Sequence, residues 1–139
     1  MIFYNEKHKE FYEDKLTTLE LYNKADVYYK SVIYLLGLTE TTRENFKEIF
    51  DIKSGEININ AIQSPFQTST SLKVTRMAFS LWNRCYFDSE DDIENANYSP
   101  KYNVCEVFNC ELAPYFYEAI KIRFPEYTRD KNIVKDFER

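Results

Sequence analysis

One segment constrains this chain more than any other: from Val27 to Leu36 almost every residue is apolar, with Val27, Tyr28, Tyr29, Val32, Ile33, Tyr34, Leu35 and Leu36 in a run of ten. Asp26 stands in front of it as a helix cap and Gly37 follows it as a left-handed terminator, so the run reads as a helix. A helix apolar on nearly every side has no solvent face and belongs at the centre of the fold, with other helices packed around it.

The surrounding sequence supplies those helices. Asn5 caps a predicted helix from Glu6 to Tyr22, whose Tyr12, Leu16, Leu19 and Tyr22 recur at the spacing that places them on one face. Thr41 with Glu44 forms a capping-box pattern, and Phe46, Ile49 and Phe50 give a short helix its buried side. Lys53-Ser54-Gly55 is a turn, and the alternation at Ile57 and Ile59 makes Glu56 to Asn60 a short strand or extended connector. Gln67 to Ser71 reads as a hydroxyl-rich loop, after which Val74, Met77, Ala78, Leu81 and Trp82 return to helical spacing. Pro114 suits the first turn of a helix with Phe116, Ala119, Ile120 and Phe124 on one face, which Pro125 then stops. Two glycines and four prolines in 139 residues are too few for the turns of a β-sandwich. The expected fold is therefore mainly α, a compact bundle of about five helices with room for one short β-hairpin, and residues 1–139 form a single globular helical domain.

Charge narrows the function classes. A net charge of −5 gives no global attraction to nucleic acid or to an anionic lipid surface. No apolar run approaches the roughly 20 residues that span a bilayer, and no leader follows Met1, so the chain is expected in the cytoplasm, without a membrane partner. Three cysteines without paired spacing fit reduced thiols rather than a disulfide framework.

No P-loop, GxGxxG, GxSxG, HExxH or CxxC pattern is present, which points away from an enzyme; no catalytic residue, cofactor or metal is assigned. His8, the only histidine, sits among Glu6, Lys7, Lys9 and Glu10, and that setting predicts an exposed, solvated side chain. Cys85, Cys105 and Cys110 with His8 are chemically able to ligate zinc, but their spacing fits core packing better.

Two surface features carry the functional expectations. The polar start of the helix after Ser71 presents Lys73, Thr75 and Arg76 in the manner of a recognition helix able to reach phosphates, although the preceding short helix is too distant in sequence for a helix-turn-helix. The run Asp88 to Glu94 places five acids, Asp88, Glu90, Asp91, Asp92 and Glu94, in seven residues beside Tyr86 and Tyr98. Its bland reading is a solvated loop or helix start; its functional reading is a phosphate mimic in which carboxylates steer a basic partner and the tyrosines anchor it.

The opening Phe3-Tyr-Asn-Glu-Lys-His8, the stretch from Asp26 to Gly37, the segment Thr75 to Asn83 and the stretch Ala113 to Tyr127 together resemble a family of uncharacterised short proteins of Gram-positive bacteria, their phages and mobile elements. The resemblance brings no catalytic residue. It implies a setting in which small proteins bind and block host proteins, so the expected function is a non-enzymatic protein-binding domain that inhibits a host defence nuclease of the CRISPR-associated kind. The alternatives are a DNA-binding accessory protein acting through Lys73, Thr75 and Arg76, and a small enzyme or zinc protein.

Overall fold

The computed structural model describes residues 1–129; the remainder of the charged tail after Tyr127 lies outside the described residues. Four long helices, α1 (Glu6–Leu21), α2 (Val27–Leu36), α5 (Ser69–Asn83) and α8 (Ala113–Arg123), carry the architecture. Short helices fill the connections: α3 (Glu40–Glu44), α4 (Phe46–Ile49), α6 (Glu90–Glu94), α7 (Val104–Val107) and α9 (Pro125–Thr128). Strands β1 (Phe50–Asp51) and β2 (Glu56–Ile57) pair antiparallel, Phe50 opposite Ile57 and Asp51 opposite Glu56, which makes the fold mainly α with one small hairpin. Gly55 closes the hairpin at φ +69°, the left-handed conformation that glycine adopts without steric cost.

The apolar run does form the central helix. Asp26 accepts the Tyr29 amide at 3.0 Å, and α2 packs against α1, α5 and α8 with Val32, Ile33, Tyr34, Leu35 and Leu36 sealed from solvent. Val74, Phe79, Phe116 and Ala119 close over it from α5 and α8. No described helix is long and apolar enough to cross a membrane.

Several local expectations are corrected. Gly37 is right-handed at φ −81°, so its role is not to reverse the chain. A Cβ there would stand 2.8 Å from Phe11 Cδ1 and 2.9 Å from His8 Cδ2, and the glycine is what lets α1 lie against the end of α2. The cap of α3 is Thr39, which accepts the Thr42 amide at 3.1 Å, rather than Thr41. Phe50 leaves the helix to start β1. Ser69, Thr70 and Ser71 belong to α5, where Thr68 and Ser71 cap each other reciprocally. Tyr22 is the C-cap of α1 and 46% exposed instead of buried, standing at the end of the helix where it borders an open groove with Phe46, Phe50 and Ile52. α8 does stop ahead of Pro125, at Arg123 with Phe124 as its cap, and the proline then opens the separate helix α9.

The largest correction is His8. It is fully buried, four residues before Tyr12 on the stripe that α1 turns toward α2. Its Nδ1 accepts the Tyr4 amide at 3.0 Å, which leaves the Nε2 hydrogen to donate to the Tyr34 carbonyl at 2.7 Å. Burial drives its pKa from 6.5 to about 4; the Tyr34 hydrogen bond opposes the fall and the Arg43 guanidinium adds to it. Tyr34 Oη in turn donates to the Ile2 carbonyl at 2.7 Å, so the neutral imidazole and the Tyr34 hydroxyl together fasten the first residues onto the core.

Candidate protein-interaction surface

Helix α5 buries Val74, Met77, Ala78 and Phe79, and on the same inward arc it carries Arg76, only 8% exposed. A guanidinium taken this far out of water needs a carboxylate with matched geometry. Asp88 provides it: Nε donates to Oδ1 at 3.0 Å and a terminal nitrogen to Oδ2 at 3.2 Å. The Ser99 hydroxyl donates to the same Oδ2 at 2.8 Å, and Gln63 Nε2 donates to the Asp88 carbonyl at 2.9 Å.

Beneath this pair lies Tyr102. Its ring faces Arg76 with the guanidinium carbon 5.9 Å from the centroid, and its hydroxyl donates to the Phe87 carbonyl at 2.7 Å. Burial, with the Cys85 thiol next in weight, pushes that hydroxyl well above the ordinary tyrosine range, so it is a permanent donor. The Ser99 amide closes the structure by donating to the Tyr86 carbonyl at 2.8 Å. Residues on both sides of α6 are therefore tied to α5 and to each other.

The excursion between those ties holds the acidic run. Ser89 caps α6 by accepting the Asp92 amide at 3.1 Å, and carboxylates in the first turn complement the helix dipole. Glu90, Asp91 and Glu94 are exposed, while Asp92 is half-buried and accepts Asn97 Nδ2 at 3.1 Å. Tyr98 is 65% exposed and stacks on Phe87 with centroids 4.9 Å apart; Tyr86 is 42% exposed and 6.3 Å from Tyr98. Exposed acids and tyrosines thus share one surface segment, the ridge of residues 86–98. Tyr86 also lines a mostly apolar groove of about 340 Å³ with Met77, Leu81, Val107, Phe108 and Phe124, between α5 and the α7 and α8 side.

The sequence expectation divides at Asp88. That residue is not a displayed carboxylate, since both its oxygens are engaged inside the clamp. Glu90, Asp91, Glu94, Tyr86 and Tyr98 are exposed, and the two tyrosines are neighbours. The recognition-helix expectation is corrected by position. Thr75 is fully buried and donates to the Ser71 carbonyl, Arg76 is committed to Asp88, and Lys73 spends a donor on the Asn109 carbonyl at 2.8 Å. Thr75 and Arg76 serve the interior, while Lys73 makes its contact at the surface.

Cys85 is buried against Tyr102 and the Phe87 carbonyl, Cys105 is exposed, Cys110 is half-buried, and His8 belongs to the α1–α2 contact. Among the described residues no group of three or more histidines, cysteines and carboxylates is placed to hold a metal ion. Sequence reasoning missed Gln63, Ser99 and Tyr102 as parts of the clamp. The available signal was Arg76 itself: an arginine between Val74 and Phe79 on an apolar arc demands a carboxylate, and Asp88 is the first acid that follows it.

A family described as of unknown function, DUF6075, matches residues 1–136. No curated protein matches the chain, and no solved structure does.

Proposed function

The chain belongs to this DUF6075 family, which brings no function with it, and from its surface we propose that the protein is a binding domain presenting the acidic and tyrosine ridge of residues 86–98 to a basic site on another protein. The observation that supports it most is the clamp. A five-residue helix does not persist by itself in water, yet here a bidentate ion pair, the Ser99 hydroxyl and the buried Tyr102 fix its flanks. Such order in a peripheral segment lowers the ordering cost of binding.

The chemistry of the ridge describes its partner. Exposed carboxylates speed encounter with a cationic groove, and partly exposed tyrosines beside an apolar groove supply the desolvated contacts that set the lifetime of a complex. Proteins that grip nucleic acid carry such grooves, and the setting implied by the sequence resemblance makes a host defence nuclease the first partner to test. The DNA-binding alternative is less well supported, since Thr75 and Arg76, two of the three side chains it relies on, are buried and engaged within the fold.

Quantitative affinity purification from a bacterial host tests the reading with two baits, the wild-type chain and a variant carrying Glu90→Gln, Asp91→Asn and Glu94→Gln. The expected result is a basic nucleic-acid enzyme enriched on the first bait and depleted by about ten-fold or more on the second at low salt. Identical protein sets on both baits would remove the ridge from the function.

A further inference from the structure

A second groove, sharing no residue with the ridge, lies between α1 and the α4 to β1 segment and has a volume of about 490 Å³. Phe46, Phe50 and Ile52 line it from below, Tyr22 stands at its wall, and Lys15, Lys47 and Lys53 surround it with Asp51 as the single carboxylate. Three ammonium groups against one carboxylate is a local excess of positive charge in a chain whose net charge is −5.

These ammonium groups are not neutralised by the fold. Lys47 and Lys53 make no ion pair among the described residues, and Lys15 has only Asp14 at 3.9 Å, itself 75% exposed. Asp51 uses Oδ1 to accept the Lys53 amide at 2.9 Å. Two of the cations are instead held over rings: Lys15 Nζ lies 5.0 Å from the Phe46 centroid and 5.4 Å from that of Phe11, and Lys53 Nζ lies 5.9 Å from that of Tyr22. A ring face positions an ammonium and replaces part of its hydration while consuming none of its three N–H donors. The donors stay available to an anion.

The two halves of the groove ask for different things. A purely apolar ligand would leave the ammonium groups without a partner, and an inorganic anion would leave the 46%-exposed ring of Tyr22 and the half-buried Ile52 uncovered, Phe46 and Phe50 being already sealed by the fold. A compact dianion suits clustered lysines, which act on phosphate as point charges. A planar ring beside it suits the exposed tyrosine face. The volume is within the range of small-ligand sites. We propose that this groove binds a nucleoside 5′-monophosphate group, with the phosphate at Lys15, Lys47 and Lys53 and the base against Tyr22 and Ile52.

The test is titration of the ¹⁵N-labelled full chain at low salt with AMP, adenosine, inorganic phosphate and a 5′-phosphorylated trinucleotide, read by amide shifts. AMP should move the amides of residues 15–22 and 46–53 saturably, with adenosine and phosphate each weaker by about ten-fold or more. Trinucleotide binding equal to or tighter than AMP would assign the group to a nucleic-acid end, and weaker binding to a free nucleotide; both retain the site. Lys53→Gln, an exposed position, should weaken AMP by about five-fold or more with an unchanged melting temperature. No saturable shift up to about 10 mM AMP, phosphate matching AMP, or undiminished affinity in Lys53→Gln would each overturn the proposal. None of these readouts involves the ridge, so its failure as a docking surface is a separate result.

Discussion

His8 is expected to stay neutral to a pH far below that of an ordinary histidine, and this single group ties the acid stability of the fold to its N-terminus. In the unfolded chain the imidazole titrates near 6.5, whereas in the folded chain burial lowers it to about 4. A depressed folded pKa means that the contribution is intact above pH 6.5 and is lost as pH falls through the window from 6.5 to about 4, because the unfolded state takes up the proton first. That difference corresponds to about 3 kcal/mol undiscounted, and screening through the nearby surface reduces it to about 2 kcal/mol. Protonation would also put a hydrogen on Nδ1 facing the Tyr4 amide, turning an accepted bond into two opposed donors. Because His8 is the only histidine, untagged protein gives one imidazole signal with no assignment problem. The signal should hold its neutral shift down to about pH 5. Urea unfolding at pH 7 and pH 4.5 should show the wild type losing about 2 kcal/mol more than His8→Phe, whose stability is lower throughout but lacks this titration. An imidazole that titrates near 6.5 in the folded protein, or equal losses in the two proteins, would refute the burial argument.

Three further outcomes follow from local geometry. Gly37→Ala should destabilise by about 1 to 3 kcal/mol in urea unfolding, since its methyl would meet Phe11 and His8 at under 3 Å and α1 would have to move; a neutral result would mean that α1 does not press on that point. Arg84, at φ +61° where α5 ends, is exposed and left-handed, so Arg84→Gly should stabilise by about 0.5 to 1 kcal/mol in thermal or urea unfolding, and a loss of stability would show that its side chain does more than endure the turn. Asp88→Ala should cost about 2 to 3 kcal/mol by leaving Arg76 buried and unpaired, and hydrogen exchange should quicken across residues 86–98; unchanged exchange would show that the ridge is held by other contacts.

The elements that were legible in the sequence are those whose causes are local. Asp26 with the apolar run after it announced α2 and its burial, and Lys53-Ser54-Gly55 between Phe50 and Ile57 announced the turn of the hairpin. Pro114 marked the start of α8 for the same reason, since a missing N–H is tolerated only in a first turn. What escaped depends on contacts between distant segments. His8 has four charged neighbours in sequence, but the partner that decides its burial is Tyr34, 26 residues away. Gly37 looked like a chain reversal because glycine usually serves one, whereas here its use is the close approach of Phe11 and His8. Asp88 looked like one of five equivalent acids until Arg76 and Ser99 claimed both of its oxygens.

That division of the acidic run bears on why a charged pair holds the ridge at all. An apolar pair of similar volume would serve stability as well or better, because desolvating Arg76 and Asp88 offsets much of their attraction. An apolar contact, however, tolerates sliding and rotation, while a bidentate guanidinium and carboxylate fix distance and orientation together. With Asp88 locked, Ser89 is placed to cap α6 and Ser99 to return the chain, and Glu90, Asp91 and Glu94 are turned outward as a consequence. Tyr102 completes the arrangement from below: as a buried hydroxyl that cannot ionise near neutral pH, it holds the Phe87 carbonyl on the side opposite solvent. The run thus works as one anchoring carboxylate and a displayed set, and the anchor is placed so that the displayed charges cannot collapse back onto Arg76, the nearest buried cation. A ridge that only discouraged aggregation would gain nothing from a fixed backbone, since mobile carboxylates repel as well as ordered ones; on the proposed reading, the held helix is what would present the carboxylates and the tyrosines to a partner in one arrangement.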